Sequence, residues 1–586
     1  MNSILRHLTP PTIRFVVLFL SYLTVLVAAT VQLLAARELI AFLFYASFLF
    51  FVLVPPRVPL LRTKGHPTRT PEWWYTALAI LGLLLLLGSR IVPFLRYGAT
   101  PLGYDTGFYW EYFNLIVPAQ TIGTAVGSHL AYATWFPLAA LGLGAIETIT
   151  LLHLVHQLLT AGALYLLLAT IVPRRIAHRV AACSVFLFAV STIQFSAFWW
   201  IFYKQSQALP FFLFALALFF RRSWLALPIA VFATSIHLPT AIPLAGGFAL
   251  YVLLAIVTPI VRRQRIPRDV LLLAVSGIVA LVAVVLIRSP DEIKGYIEVL
   301  LQYRGFATAA QSWEIDRFKG LFLPFAVARI AALYYLPFAF IGLLRGVRML
   351  PIWRNGRRAM SPPDLLITAF AVLFLLVSFP FLHQHRSLIL FDVLLLVLAA
   401  PSLAWFMEQY GSRGKIERVT IGLLLFGMTF SLAFIVWNQK PQLYADEAAE
   451  LAQLHPRNDP EHHIRDGEHN YVMVTSSLYT PWAYAYTGFD RTIAPGWLRW
   501  DLWDLPQWTT FWTTKDDAKR LDLLRMYGDS TIYIFVGRHV LEQATGSPMI
   551  TFLETSPYIV QFSPHIWKYS QYADLWGGGI PDAYAP

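Results

Sequence analysis

Apolar residues fall in long runs along this chain, and polar residues gather in the gaps between them. Runs at residues 13–35, 38–55, 75–94, 148–171, 178–198, 206–220, 224–237, 240–261, 269–287, 321–343, 364–382, 388–406 and 419–437 read as helical spans. Most approach the roughly 20 residues that carry a helix across about 30 Å of hydrocarbon. The run at 224–237 is short and leads into Ser235-Ile-His-Leu-Pro-Thr240, which predicts a helix that stops early or breaks around Pro239. Residues 135–146 are also apolar. Counting them as a span would invert the charge parity of every later loop, so they read as an interfacial or re-entrant segment of a first external loop over 96–147. Beyond residue 437 the pattern changes to polar, aromatic and turn-forming residues. Strands are predicted at 471–475 and 531–536 and helices at 445–454 and 515–527, an alternation that suggests a small α/β domain.

Composition strengthens this reading. The 586 residues are 57% hydrophobic and 13% charged, whereas soluble domains carry about 25% charged residues. The fold class is therefore a polytopic α-helical membrane protein of thirteen spans, with a membrane module over 1–437 and an α/β domain over 438–586. A net charge of +12 would suit nucleic acid in a soluble chain. Here the basic residues instead sort into alternate loops: Arg57, Arg62, Lys64 and Arg69; Arg174, Arg175 and Arg179; Arg221 and Arg222; Arg262, Arg263, Arg265 and Arg268; Arg345 to Arg358; Arg413, Lys415 and Arg418. The positive-inside rule puts these loops and the N-terminus in the cytoplasm of a multi-pass cell-membrane protein, and the C-terminal domain outside. No nucleic-acid partner is expected. The first run reads as a retained anchor rather than a cleaved leader. The single cysteine, Cys183, lies in an apolar run and reads as packing.

This orientation gathers the unusual polar residues on the external side. Asp105 and Glu111 lie in Tyr104-Asp-Thr-Gly-Phe-Tyr-Trp-Glu111, the first polar break after three apolar runs. An ionisable group at the edge of a bilayer is costly unless paired or used. Lys204 follows Trp199-Trp200, His237 ends the short seventh run, and Glu314 and Asp316 lie between the ninth and tenth. His383-Gln-His-Arg386 opens the twelfth. Glu314-x-Asp316 has the spacing of a divalent-cation carboxylate pair, and also that of an ordinary solvated loop. The histidines at 383 and 385 point apart on a helix, and no cysteine or carboxylate pair completes a metal set beside them. Gly577-Gly-Gly579 lacks the lysine and hydroxyl of a phosphate loop.

In layout and short motifs the chain resembles the GT-C superfamily of polytopic glycosyltransferases. The resemblance rests on a span leading into the aspartate-bearing loop at 104–110, on Ala133-Thr-Trp-Phe-Pro-Leu138, and on Pro173-Arg-Arg175. It rests also on Thr480-Pro-Trp-Ala-Tyr-Ala-Tyr-Thr-Gly488, which is similar to the WWDYG acceptor-recognition region of the oligosaccharyltransferase catalytic subunit. Ala483 and Ala485 depart from that pattern, and no Asp-x-Asp follows in the next external loop. The resemblance therefore implies a lipid-sugar transferase rather than a peptide-sequon oligosaccharyltransferase. It implies a polyprenyl-phosphate-linked sugar as donor, membrane lipids around it, and a glycan, lipid or protein acceptor outside the cell. No cofactor is required, and dependence on a divalent metal stays open. Asp105 is implied as the catalytic residue, either the base or the carboxylate that positions the acceptor. Arg386 is the first choice for the donor phosphate, since a guanidinium grips phosphate bidentately, and Lys204 and His237 are the next. Trp482, Tyr484, Tyr486 and Glu111 are the acceptor-binding candidates. A transporter or flippase and a non-catalytic part of cell-envelope polysaccharide assembly are the alternatives.

Overall fold

The computed structural model describes residues 71–98, 140–199, 203–287, 384–454, 471–487 and 502–569 with few gaps, together with Gly103, 106–111, Phe113, Leu138, Lys294, Tyr335, some of 338–343, Ala369 and 492–493. Its chain divides into two compact units. One comprises Met1–Pro93, Val126–Ala131 and Leu151–Gln439; the other comprises Phe94–Ala125, Tyr132–Thr150 and Lys440–Pro586. Most of the expected external loop thus groups with the C-terminal residues rather than with the membrane module.

Nine of the apolar runs lie among the described residues, and each is helical. In chain order the helices are α1 (Glu72–Tyr97), the short α2 (Thr106–Glu111), α3 (Ala145–Ile171), α4 (Ala177–Val190), α5 (Thr192–Trp199), α6 (Tyr203–Phe220), α7 (Ala226–Ile236), α8 (Leu238–Val261), α9 (Arg268–Ile287), α10 (Gln384–Gly411) and α11 (Lys415–Asn438). Among the described residues, four helices are long and apolar enough to cross a membrane, and five if the bent pair α4–α5 is one span. The expected spans at 13–35, 38–55 and 364–382, and most of 321–343, lie outside the described residues. At 11 residues, α7 is about 16 Å long, well short of a bilayer. It ends as the sequence predicts: His237 turns extended (φ −149°, ψ 92°) and α8 restarts at Leu238.

The membrane unit is built around α10, which is buried along most of its length and packs on α4. Gly82 lets α1 approach α4 closely, since a Cβ there would lie 2.8 Å from the Phe186 Cα. Cys183 is fully buried in this core. At one end of the bundle Arg179 ties three helices: its Nε and Nη2 donate to Glu72 Oε1 at 2.9 and 2.6 Å, and its Nη1 donates to Glu408 Oε1 at 2.7 Å. The starts of α1 and α4 and the end of α10 therefore share a side, as the loop charges require. By contrast α9 leaves a wide apolar face exposed, including Leu272, Ile278, Leu281 and Leu286, which suits lipid contact.

The second unit contains α12 (Ala445–Gln453), β1 (Tyr471–Thr475), α13 (Thr480–Thr487), β2 (Thr492–Ile493), α14 (Leu505–Thr513), α15 (Asp517–Arg525), β3 (Thr531–Phe535), α16 (Arg538–Ala544), α17 (Pro548–Thr555), β4 (Ile559–Ser563) and β5 (Ile566–Tyr569). The strands form one sheet in the order β2-β1-β3-β5-β4. Parallel pairs β1–β2 and β1–β3 adjoin an antiparallel β5–β4 hairpin. Helix starts carry their own capping groups: Asp504, Asp516 and Ser547 each accept from a backbone N–H of the first turn. From α12, buried Glu447 accepts the backbone N–H groups of Tyr444 and Arg538 at 2.7 and 2.5 Å, and Glu450 accepts from Ser563 Oγ, His565 N and His565 Nδ1. Burial nevertheless holds the Glu447 carboxyl above the ordinary carboxylate range.

Candidate functional site

Two separate constellations have functional geometry, one in each unit. In the second unit the aspartate-bearing loop meets the segment that resembles an acceptor-recognition motif. The Trp482 Nε1 donates to the Gly103 carbonyl at 3.2 Å. Gly107, in the first turn of α2, lies so close to α13 that a Cβ would fall 2.2 Å from the Pro481 carbonyl oxygen. Trp110 packs on the core formed by Leu443, Leu451, Tyr479, Trp482 and Phe535. Ala483 and Ala485, the departures from the aromatic motif, are 0% and 1% exposed; their small size is what this packing demands.

The docking brings two sequence-predicted segments together and changes the part of one residue. Trp482 was expected to stack on an acceptor, but its ring is fully buried and its indole N–H is committed to Gly103. It anchors the loop. Asp105 itself lies outside the described residues, between Gly103 and Thr106, both of which are buried. Glu111 ends α2, and Tyr484 and Tyr486 belong to α13; the side chains of these three are outside the described residues.

In the membrane unit, polar side chains are buried between α1, α3, α5 and α6. Arg90 is 0% exposed. Its Nη1 donates to Ser89 Oγ at 2.7 Å and to the Ala189 carbonyl at 3.4 Å, and its guanidinium carbon lies 5.4 and 5.8 Å from the rings of Phe195 and Phe198. His153, also 0% exposed, donates from Nε2 to the Phe198 carbonyl at 3.1 Å and stacks on the Phe198 ring at 4.9 Å. His156 stands one turn along α3, and both imidazoles contact the Tyr203 ring. A second node sits at the α4–α5 break, which bends by 52°. There Ser191 Oγ accepts from Gln194 N, as a helix cap does, and donates to Asp392 Oδ2 at 2.8 Å. Gln194 Nε2 donates to the same oxygen at 2.9 Å, and the Tyr335 hydroxyl donates to Asp392 Oδ1. Three hydrogen bonds thus hold a fully buried carboxyl group across the kink.

No family model and no curated protein matches this chain.

The remaining expected site residues scatter in their standing. Lys204 lies in the first turn of α6 and His237 just after α7, and these two helices pack together. His237 is buried, its Nδ1 2.6 Å from Thr240 Oγ1. Arg386 falls in the first turn of α10, with its side chain outside the described residues. Glu314 and Asp316 also lie outside them. Among the described residues no group of three or more His, Cys, Asp or Glu is arranged to hold a metal ion. Sequence reasoning passed over Arg90, His153, His156 and Asp392. The signal was present in each case: an ionisable residue inside a span-length apolar run, and for the histidines a spacing of three that puts both on one helix face.

Proposed function

We propose that this protein is a GT-C type membrane glycosyltransferase of about thirteen spans with an extracytoplasmic C-terminal domain. It moves a sugar from a polyprenyl-phosphate carrier to an acceptor hydroxyl outside the cytoplasm. The observation that supports this reading best is the docking of α2 on α13 through Trp482, Gly103 and Gly107. It joins the loop that carries Asp105 to the helix that carries Tyr484 and Tyr486, which is what an acceptor site with its base beside it requires.

In the proposed reaction the Asp105 carboxylate takes the proton of the acceptor hydroxyl as its oxygen bonds to the anomeric carbon. The bond from that carbon to the phosphate oxygen breaks, and polyprenyl phosphate leaves with the electron pair. The departing phosphate charge needs a cation, the part that the resemblance gives to Arg386, with Lys204 and His237 as the next choices. No nucleotide enters, since the activated bond is in the donor. The test is incubation of the purified protein with a panel of polyprenyl-phosphate sugars and acceptors, scored by release of free polyprenyl phosphate. Asp105→Asn should lose at least about a hundredfold in turnover, the low end of a positioned base's contribution, with unchanged membrane insertion. Full activity in that variant removes Asp105 from the chemistry. A transport reading has one observation in its favour, the ionisable side chains buried inside the membrane unit. It predicts movement of intact lipid-linked sugar across a vesicle membrane without cleavage.

A further inference from the structure

Arg90 poses a problem of charge. Its guanidinium is wholly buried, and no acidic side chain among the described residues faces it. Burying an unpaired charge is strongly unfavourable. Its Nη1 is satisfied by Ser89 and Ala189, whereas Nε and Nη2 have no hydrogen-bond partner among the described residues. Those two atoms form the side-on fork of a guanidinium, the edge with which Arg179 grips Glu72 in this same protein. A fork of this kind matches two oxygens of one oxyanion.

The surroundings narrow the class of oxyanion. His153 Nε2 is committed to the Phe198 carbonyl, so the neutral ring presents Nδ1 as an acceptor, and that atom is buried without a partner. His156 Nδ1 and the side-chain oxygens of Gln157 on α3 and Gln207 on α6 are likewise buried without a hydrogen-bond partner. Gln157 follows His153 by four residues and Gln207 follows Tyr203 by four, so each shares a helix face with a residue of the cluster. The cluster therefore needs negative charge at Arg90 and proton donors beside it. Chloride and a carboxylate bring charge without a proton. A phosphate brings both, because its second ionisation lies near neutrality, at about pH 6.

We infer that Arg90, with His153 and His156, forms a phosphate-binding site inside the membrane unit, separate from the residues assigned to the transfer reaction. The phosphate is the phosphomonoester headgroup of a lipid or free inorganic phosphate. The inference stands apart from glycosyl transfer, because binding needs neither acceptor nor turnover.

Equilibrium binding to the purified full-length protein tests it, in a maltoside detergent that contributes no phosphate. The probes are polyprenyl phosphate, the uncharged polyprenol and inorganic phosphate. The wild type is expected to bind a phosphate probe and to bind polyprenol at least about tenfold more weakly, with Arg90→Gln weakening the phosphate probe by a similar factor, as loss of a charge-assisted bidentate contact predicts. Dependence on Arg90 with polyprenyl phosphate alone assigns the lipid source; the same dependence with inorganic phosphate assigns free phosphate. Polyprenol binding as tight as polyprenyl phosphate, equal affinity in Arg90→Gln, or no binding of either phosphate overturns the proposal. Should Arg90→Gln fail to fold, Arg90→Lys and His153→Gln carry the test, and wild-type affinity in both overturns it.

Discussion

Gly107 shows how one residue sets the geometry of the second unit. Nothing at that position except hydrogen leaves room for the Pro481 carbonyl. Gly107→Val should therefore push α2 off α13 and cost about 1–3 kcal/mol, the usual range for forcing atoms into a packed contact. The measurement is protease susceptibility of the region after residue 94 in the purified variant, which should rise; an unchanged cleavage pattern removes the docking from the fold. Trp482 carries the complementary lesson. An aromatic beside turn residues was legible in the sequence as a binding face, but its role followed from where its indole N–H points. Asp105 was legible as an exception to an apolar pattern, and so, by the same argument, were Arg90 and Asp392. The polar breaks between runs drew attention, while charges inside the runs were absorbed into the hydrophobic average.

At the level of elements, periodicity and length carried most of the information. The helices from α3 to α9 begin and end within a few residues of the apolar runs, because each run ends where lipid contact and packing end. The break at His237 was visible from a short run and the proline after it. The break at Ser191 was not, since no proline or glycine marks it. A serine that caps the next helix and a buried aspartate across the interface produce it. Likewise β2, β4 and β5 escaped notice: two residues, or five and four in a hairpin with an irregular register, are too few for a period to show. Arg179 is the element-level joint that is easiest to test. Arg179→Gln removes three charge-assisted hydrogen bonds between α4 and its neighbours α1 and α10. Because Glu72 is 58% exposed, solvent offsets part of the loss, and about 1–3 kcal/mol is expected. A lowered thermal unfolding midpoint in detergent would show it; an unchanged midpoint would mean that Arg179 is not a joint.

For the whole molecule the central expectation is sidedness. The charge parity of the loops and the Arg179 joint agree that the starts of α1 and α4 and the end of α10 lie on one side. The basic loops predict that this side is cytoplasmic. Cys183, the only cysteine, is fully buried and should stay silent to a maleimide. Glu554→Cys, at an exposed position of α17, is expected to react with a membrane-impermeant maleimide in intact cells, and Arg175→Cys, between α3 and α4, only after the membrane is opened. The reverse pattern overturns the orientation.

The sequence by itself determined that this chain has membrane-length apolar helices followed by a domain of mixed strands and helices, and where most of those helices lie. Hydrophobic runs and their lengths are local properties, and they survive whatever the tertiary packing does. Tertiary structure alone decided that the loop around Asp105 docks on the helix of Trp482, some 380 residues later in the chain. It alone decided that Arg90, His153 and His156 share one buried space while Asp392 braces a kink. Those outcomes depend on close approach at glycines and on which hydrogen-bonding groups find each other when the backbone folds. Neither is written in the order of apolar and polar residues.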